Sequence, residues 1–211
     1  MEQKALLPFT IAGNATWFAH YLQHPEVILE VKEHFVKQSF RNRCTVLGAN
    51  GPLDLIIPIE HGRKEHVPME DVQIAYHHDW QREHWQSLVS AYRSSPYFEF
   101  YEPELEPIWF VKHERLIERN NALLVHLLQL LKEESKHTYS EKYEKEPDEG
   151  TLDLRNSIHP KKPWPKVAEY PNYPQVFEDR HPFITNLSVL DLLFNIGPDA
   201  AAYLRALPLE D

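Results

Sequence analysis

A single cysteine in 211 residues, Cys44, excludes a disulfide framework and a cysteine-built zinc site. Six glycines are too few for a glycine-rich phosphate loop, and neither GxGxxG nor GxxxxGK[ST] occurs. Positive charge is also short: 22 Lys+Arg stand against 32 Asp+Glu, a formal net charge of −10. A chain of that sign lacks the basic field that nonspecific nucleic-acid binding needs. No apolar run approaches the ~20 residues of a membrane span. The opening Met1-Glu2-Gln3-Lys4 is polar, without the apolar core of a signal peptide. The expectation is a cytoplasmic protein with no membrane span, no nucleic-acid partner, no cofactor and no metal.

What is present fits one globular domain over residues 1–211. Hydrophobic residues make up 42%, enough for a core without staples. Seventeen prolines and 12% aromatics, five of them Trp, point to an aromatic-rich core or to flat apolar surfaces for a ligand.

The run Ala5 to Ile11 reads as a buried strand. A short helix, Thr16 to Gln23, follows, with Asn14 or Thr16 as its cap, and then a second strand, Val27 to Val31. Phe40 to Leu47 and Leu53 to Ile59 flank Asn50-Gly51, a hairpin signature. Val67 to Ala75 reads as a further short strand. Asp79 can cap a helix from Trp80 to Tyr92, which carries Trp80, His84, Leu88 and Tyr92 on one face. Tyr97 to Tyr101 is an aromatic patch. Helices are predicted over Glu104–His113, Leu116–Lys132, Ser188–Phe194 and Pro198–Leu207. Residues 133–150 are almost all polar and read as a charged, mobile connector. The fold class is α/β, with α+β as the alternative: a mixed sheet with a hairpin, flanked by helices.

Four pieces together resemble the WbqC-like protein family. They are Lys37-Gln38-Ser39-Phe40-Arg41-Asn42-Arg43-Cys44, continuing through Gly48-Ala49-Asn50-Gly51 to Ile59; Trp80-Gln81-Arg82-Glu83-His84-Trp85 with Tyr92 and Ser95-Pro96-Tyr97-Phe98; Tyr173-Pro174-Gln175-Val176-Phe177; and Phe183, then Leu187 to Asn195 with Gly197-Pro198. Their order and spacing also match. Asp153 to Lys162 stands where many members have a glycine-rich segment, so the chain resembles a shortened branch. The resemblance implies a role near surface-polysaccharide or O-antigen synthesis, with transfer of an aminoacyl or acyl group to a sugar suggested. It implies no established catalytic residues.

The residues themselves offer several candidates. Lys37, Arg41 and Arg43 alternate along a predicted strand and would share a face, either as an anion site or as surface ion pairs. Gln38, Asn42 and Gln175 are polar groups in apolar contexts, available to sugar hydroxyls or to backbone turns. Tyr92 joins this binding set. His84 is either a core-edge residue or, facing a cleft, the best general base in the chain. Asp191 interrupts an apolar run. It either pairs with an arginine of the basic cluster, orients a catalytic group, or sits on a solvent face. Ser188 reads as a helix cap three residues earlier. Cys44 reads as a small buried apolar residue. His77, His78, Asp79 and His84 lack metal-ligand spacing. Asp153, Arg155, Lys161 and Lys162 form a second charged group, either a lid or a solvated loop.

Three functions compete. The first is a transferase using His84 and Asp191, with Arg41 and Arg43 holding an anionic, sugar-linked substrate. The second is a non-catalytic binding protein for such a precursor, for example a nucleotide sugar. The third is an interaction module exposing Trp164 and Tyr97 to Tyr101. Placement of His84 or Asp191 away from Arg41 would favour binding over catalysis.

Overall fold

Ala5, Leu7, Val27 and Leu29 lie on two short strands and are sealed from solvent, as strands buried on both faces require. In the computed structural model, which describes residues 4–60, 66–161 and 167–209, these strands are β1 (Lys4–Pro8) and β2 (Glu26–Glu30). They pair in parallel, Lys4 opposite Glu26 and Pro8 opposite Glu30. Helix α1 (Ala15–Gln23) makes the crossover, and Asn14 caps it by accepting from the Trp17 N–H.

The antiparallel hairpin of β3 (Arg43–Gly48) and β4 (Gly51–Ile56) is a separate two-stranded sheet. It turns at Gly51, whose φ of +105° is open only to glycine at low cost. Helices α2 (Trp80–Tyr92), α3 (Phe98–Phe110) and α4 (Leu116–Leu130) follow, and α5 (Val189–Ile196) and α6 (Ala200–Ala206) close the described chain. The α/β class, the hairpin and the flanking helices are therefore as read from the sequence.

Segment 133–150 departs from that reading. It contributes strand β5 (His137–Tyr139), and β6 (Thr151–Asp153) follows directly. Both join the parallel sheet, in the order β5-β2-β1-β6. Three residues of polar sequence form a strand here because a neighbour supplies the pairing: Val27 opposes His137, and Lys4 opposes Thr151.

Other boundaries shift for local reasons. The hairpin's first strand starts at Arg43, not Phe40, because residues 37–42 turn, with Ser39 Oγ donating to the Val36 carbonyl. The expected strand at 67–75 is a 3-10 turn, Met69–Asp71, with isolated bridges at Ile74 and Gln73. Helix α3 begins six residues early and absorbs the aromatic patch, burying Phe98, Tyr101, Leu105 and Trp109. Its prolines, Pro103 and Pro107, lie on the exposed side, where water can reach the carbonyls they leave free. Phe100 alone of the patch is strongly exposed, at 66%. Trp164 lies outside the described residues.

Candidate functional site

The three cations of the predicted strand face do not share a face. Lys37 is exposed in the turn. Arg41 is buried and points to Glu33, its Nε donating to Oε1 at 2.7 Å, while NH2 donates to the Arg155 carbonyl at 3.2 Å. Arg43 reaches across the hairpin to Asp54, NH1 to Oδ2 at 2.9 Å. Gln38, exposed and with φ at +56°, accepts from Lys161 Nζ. Asn42 is buried and donates to the Ile57 carbonyl at 2.8 Å, which fixes the strand entry.

Arg41 belongs to a larger knot. Arg155 follows β6 and grips Asp153 with two parallel hydrogen bonds, Nε to Oδ1 at 2.9 Å and NH2 to Oδ2 at 2.7 Å. Its NH1 reaches Glu30, at the end of β2, at 3.1 Å, and the Glu144 carbonyl at 2.8 Å. Glu30 also accepts from Ser140 Oγ at 2.6 Å. Burial raises the Glu33 carboxyl above its usual range, an effect that the neighbouring Arg41 opposes. The second charged group read from the sequence is thus partly internal: Arg155 and Asp153 fasten the end of the sheet. Lys162 lies outside the described residues.

Asp191 is paired with tyrosines rather than with an arginine. Its Oδ1 accepts from Tyr92 OH at 2.7 Å, and its Oδ2 accepts from Tyr173 OH at 2.6 Å and from Gln175 Nε2 at 3.3 Å. Tyr92 OH in turn accepts from the Leu47 N–H at 2.9 Å. Burial outweighs these donors and raises the Asp191 carboxyl, and it raises both phenols as well. Tyr92, Gln175 and Asp191 are therefore brought together, and Tyr173, which carried part of the resemblance but was not singled out for a role, completes the group. Tyr173 and Gln175 also line a surface cavity of about 410 Å³ with Leu47, His181 and Phe183.

His84 is buried between Trp80 and Trp109, with ring centroids 5.1 and 6.3 Å away. Burial lowers its pKa to about 4, against a backbone hydrogen bond at Ile56 that raises it. Its polar surroundings do not include Asp191 or Arg41. Cys44 is buried as expected, its thiol pushed up to about 12 by burial. Among the described residues no group of three or more His, Cys, Asp or Glu side chains is placed to hold a metal ion. No described helix is long and apolar enough to cross a membrane.

A second cavity, about 600 Å³, sits where parallel-sheet proteins commonly bind ligands, beyond the carboxyl ends of the strands. Phe9 lies just after β1, Val31 and Lys32 just after β2, and Tyr139 and Ser140 at the end of β5, all facing Ile117, Glu118 and Asn121 of α4. Tyr139 OH donates to Asn121 Oδ1 at 2.7 Å, and Lys32 pairs with Glu70 at 2.7 Å. Sequence reasoning missed this crevice because its far wall depends on β5, which polar composition hid.

The model of the WbqC-like protein family matches residues 15–162 and 161–203. The chain belongs to the WbqC-like protein family. The two matched pieces of this WbqC-like chain overlap at residues 161–162. They include α2, the Asp191 group and most of the crevice wall. No curated protein and no solved structure matches the chain.

Proposed function

We propose that this WbqC-like protein binds the sugar portion of a small sugar-linked precursor in the crevice at the carboxyl ends of β1, β2 and β5. The observation that carries the reading is the composition of that crevice. Tyr139 and Phe9 supply aromatic surface, with ring centroids 5.8 Å apart. Asn121 keeps its amide N–H₂ uncommitted among the described residues while its oxygen is fixed by Tyr139. Glu70, Glu118 and Glu141 offer acceptors to hydroxyls, and among the described residues Lys32 is the one cation lining it. Such a wall suits hydroxyl groups on an apolar ring face better than it suits a phosphate. Any anionic part of the precursor would extend out of the crevice.

Binding is favoured over catalysis by His84 and Asp191, since both are buried in separate groups that do not include Arg41. A second reading keeps the transferase implied by the resemblance, moving an aminoacyl or acyl group to the bound sugar in surface-polysaccharide synthesis in the cytoplasm. The rim carboxylates Glu118 and Glu141 favour it, because they would lie beside an acceptor hydroxyl or amine.

The test is a melting-temperature screen of the full chain with nucleotide sugars, free amino sugars and inorganic phosphate. Sugar-dependent stabilisation is expected, with affinity falling about tenfold in Asn121→Ala, the order of one or two lost hydrogen bonds. Stabilisation by phosphate alone, or by sugars equally well in Asn121→Ala and Tyr139→Phe, would remove the crevice from consideration. Turnover of an aminoacyl donor with a bound sugar would move the weight to the transferase.

A further inference from the structure

Three arginines among the described residues are sealed from solvent: Arg41, Arg155 and Arg119. The first two are neutralised by Glu33, Glu30 and Asp153. Arg119, on α4, is not. Its NH1 donates to the Ile108 carbonyl at 2.8 Å, and its guanidinium lies over the Trp109 ring, 5.1 Å from the centroid. Its Nε and NH2 have no partner among the described residues. The ionisable groups that act on it are Tyr76 and Cys44, and no carboxylate among the described residues is one of them.

Other donors in the same layer are idle too. The indole N–H groups of Trp109 and Trp80 are buried without partners among the described residues. Trp80, His84 and Trp109 stand in series, and Arg119 caps the end of the series over Trp109. Arg119 also bears on His84 and His113, which it pushes toward their neutral forms. The layer therefore combines a full positive charge with surplus N–H donors. A buried ion left without a counter-charge is costly, and water satisfies the hydrogen bonds without supplying the charge.

We propose that Arg119, stacked on Trp109 and with its Nε and NH2 unpartnered, forms an internal site for a compact monovalent anion, a halide or a small carboxylate, that neutralises the buried guanidinium. The site shares no lining residue with the crevice and does not depend on the function assigned to it. The same anion class could arrive as chloride or as formate and acetate, so the test separates the two.

The full chain is exchanged into sodium gluconate, whose anion is too bulky for an enclosed layer. It is then titrated at constant ionic strength with chloride, and separately with formate and acetate. Nitrogen-15 spectra follow the five indole N–H signals and the arginine Nε–H signals. The Trp109 indole signal and the Arg119 Nε–H signal are expected to move saturably. The melting temperature is expected to rise by about 5–10 °C once the anion exceeds its dissociation constant a hundredfold. The series that saturates at the lower concentration identifies the halide or the carboxylate as the preferred ion. In Arg119→Met the saturable response should vanish. Indole signals that stay fixed, or that drift equally in every salt, would overturn the proposal. Should Arg119→Met fail to fold, the gluconate comparison on the unaltered chain decides it alone.

Discussion

The Tyr92 phenol meets the Asp191 carboxylate at 2.7 Å, across 99 positions of sequence, and the same phenol oxygen receives the Leu47 N–H of the hairpin. One hydroxyl thus joins α2, α5 and β3. Replacing it by Phe leaves a buried carboxylate short of a donor and a buried amide short of an acceptor. Tyr92→Phe is expected to cost about 2–4 kcal/mol, read from urea unfolding, for two unsatisfied groups of the usual size. A loss below 0.5 kcal/mol would mean that the two bonds contribute nothing net.

Asp191 itself should make stability depend on pH in an unusual direction. Burial raises its carboxyl in the folded protein, so the folded state prefers the proton. The contribution of Asp191 is therefore greatest below the unfolded carboxylate pKa and declines as pH rises through the raised folded value. Asp191→Asn cannot ionise. The difference in melting temperature between Asp191→Asn and the unaltered chain should shift in favour of the variant between pH 4 and pH 7. A pH-independent difference would refute this.

The buried histidines act in the opposite sense. Burial lowers His84 to about 4 and His20 to about 3, the latter helped by its neighbour His24. The unfolded chain protonates them near pH 6.5 while the folded protein does not. Stability is then fully present above about 6.5 and drains away as pH falls toward those lower values, by up to about 3 kcal/mol for His84 and about 5 kcal/mol for His20. In carbon-detected imidazole titrations both rings should remain neutral at pH 5.5. His84→Gln should flatten part of the acid limb of the stability curve.

Arg155 ties Glu30, Asp153 and the Glu144 carbonyl together, so its loss should be severe. Arg155→Met leaves Glu30 charged and buried, and about 3–5 kcal/mol is expected to go. The double variant Arg155→Met with Glu30→Gln should recover part of that loss. Limited proteolysis should open first near residue 144 in the single variant, and an unchanged cleavage pattern would count against the tie.

Gly197 gives a purely steric expectation. Its φ is +53°, and a Cβ there would sit 2.6 Å from the Tyr97 ring. Gly197→Ala should therefore destabilise by more than the ~1 kcal/mol of backbone strain alone, as measured by melting temperature.

How far the sequence reveals the molecule depends on which forces act locally. Helix α2 was legible to its ends, because Trp80, His84, Leu88 and Tyr92 repeat every four residues. Asp79 takes the cap position although its side chain makes no capping bond. Ser188 caps α5 as expected, accepting from the Leu190 N–H. The hairpin followed from Asn50-Gly51. By contrast, β5 and β6 hold three residues each and no apolar pattern, so only their partners reveal them. Alternation placed Arg41 beside Lys37 and Arg43, but a turn at residues 37–42 breaks the period of two. The sequence left Asp191 open between a buried, paired carboxylate and a solvent face; that it is buried and that its partners are phenols could not be read from its neighbours. Arg119 gave no signal, since one arginine in an amphipathic helix reads as a surface residue.

Because β1 pairs on one side with β2 and on the other with β6, its second edge stays bare until residue 151 has been made. At ribosomal speeds of about 5–20 residues per second, the nascent chain carries that open edge for roughly 7–30 s. Throughout that interval Ala5 and Leu7 are available to any passing strand. Production of this protein is thus governed by a waiting time as well as by final stability, and slower translation after β2 would raise the fraction lost to aggregation.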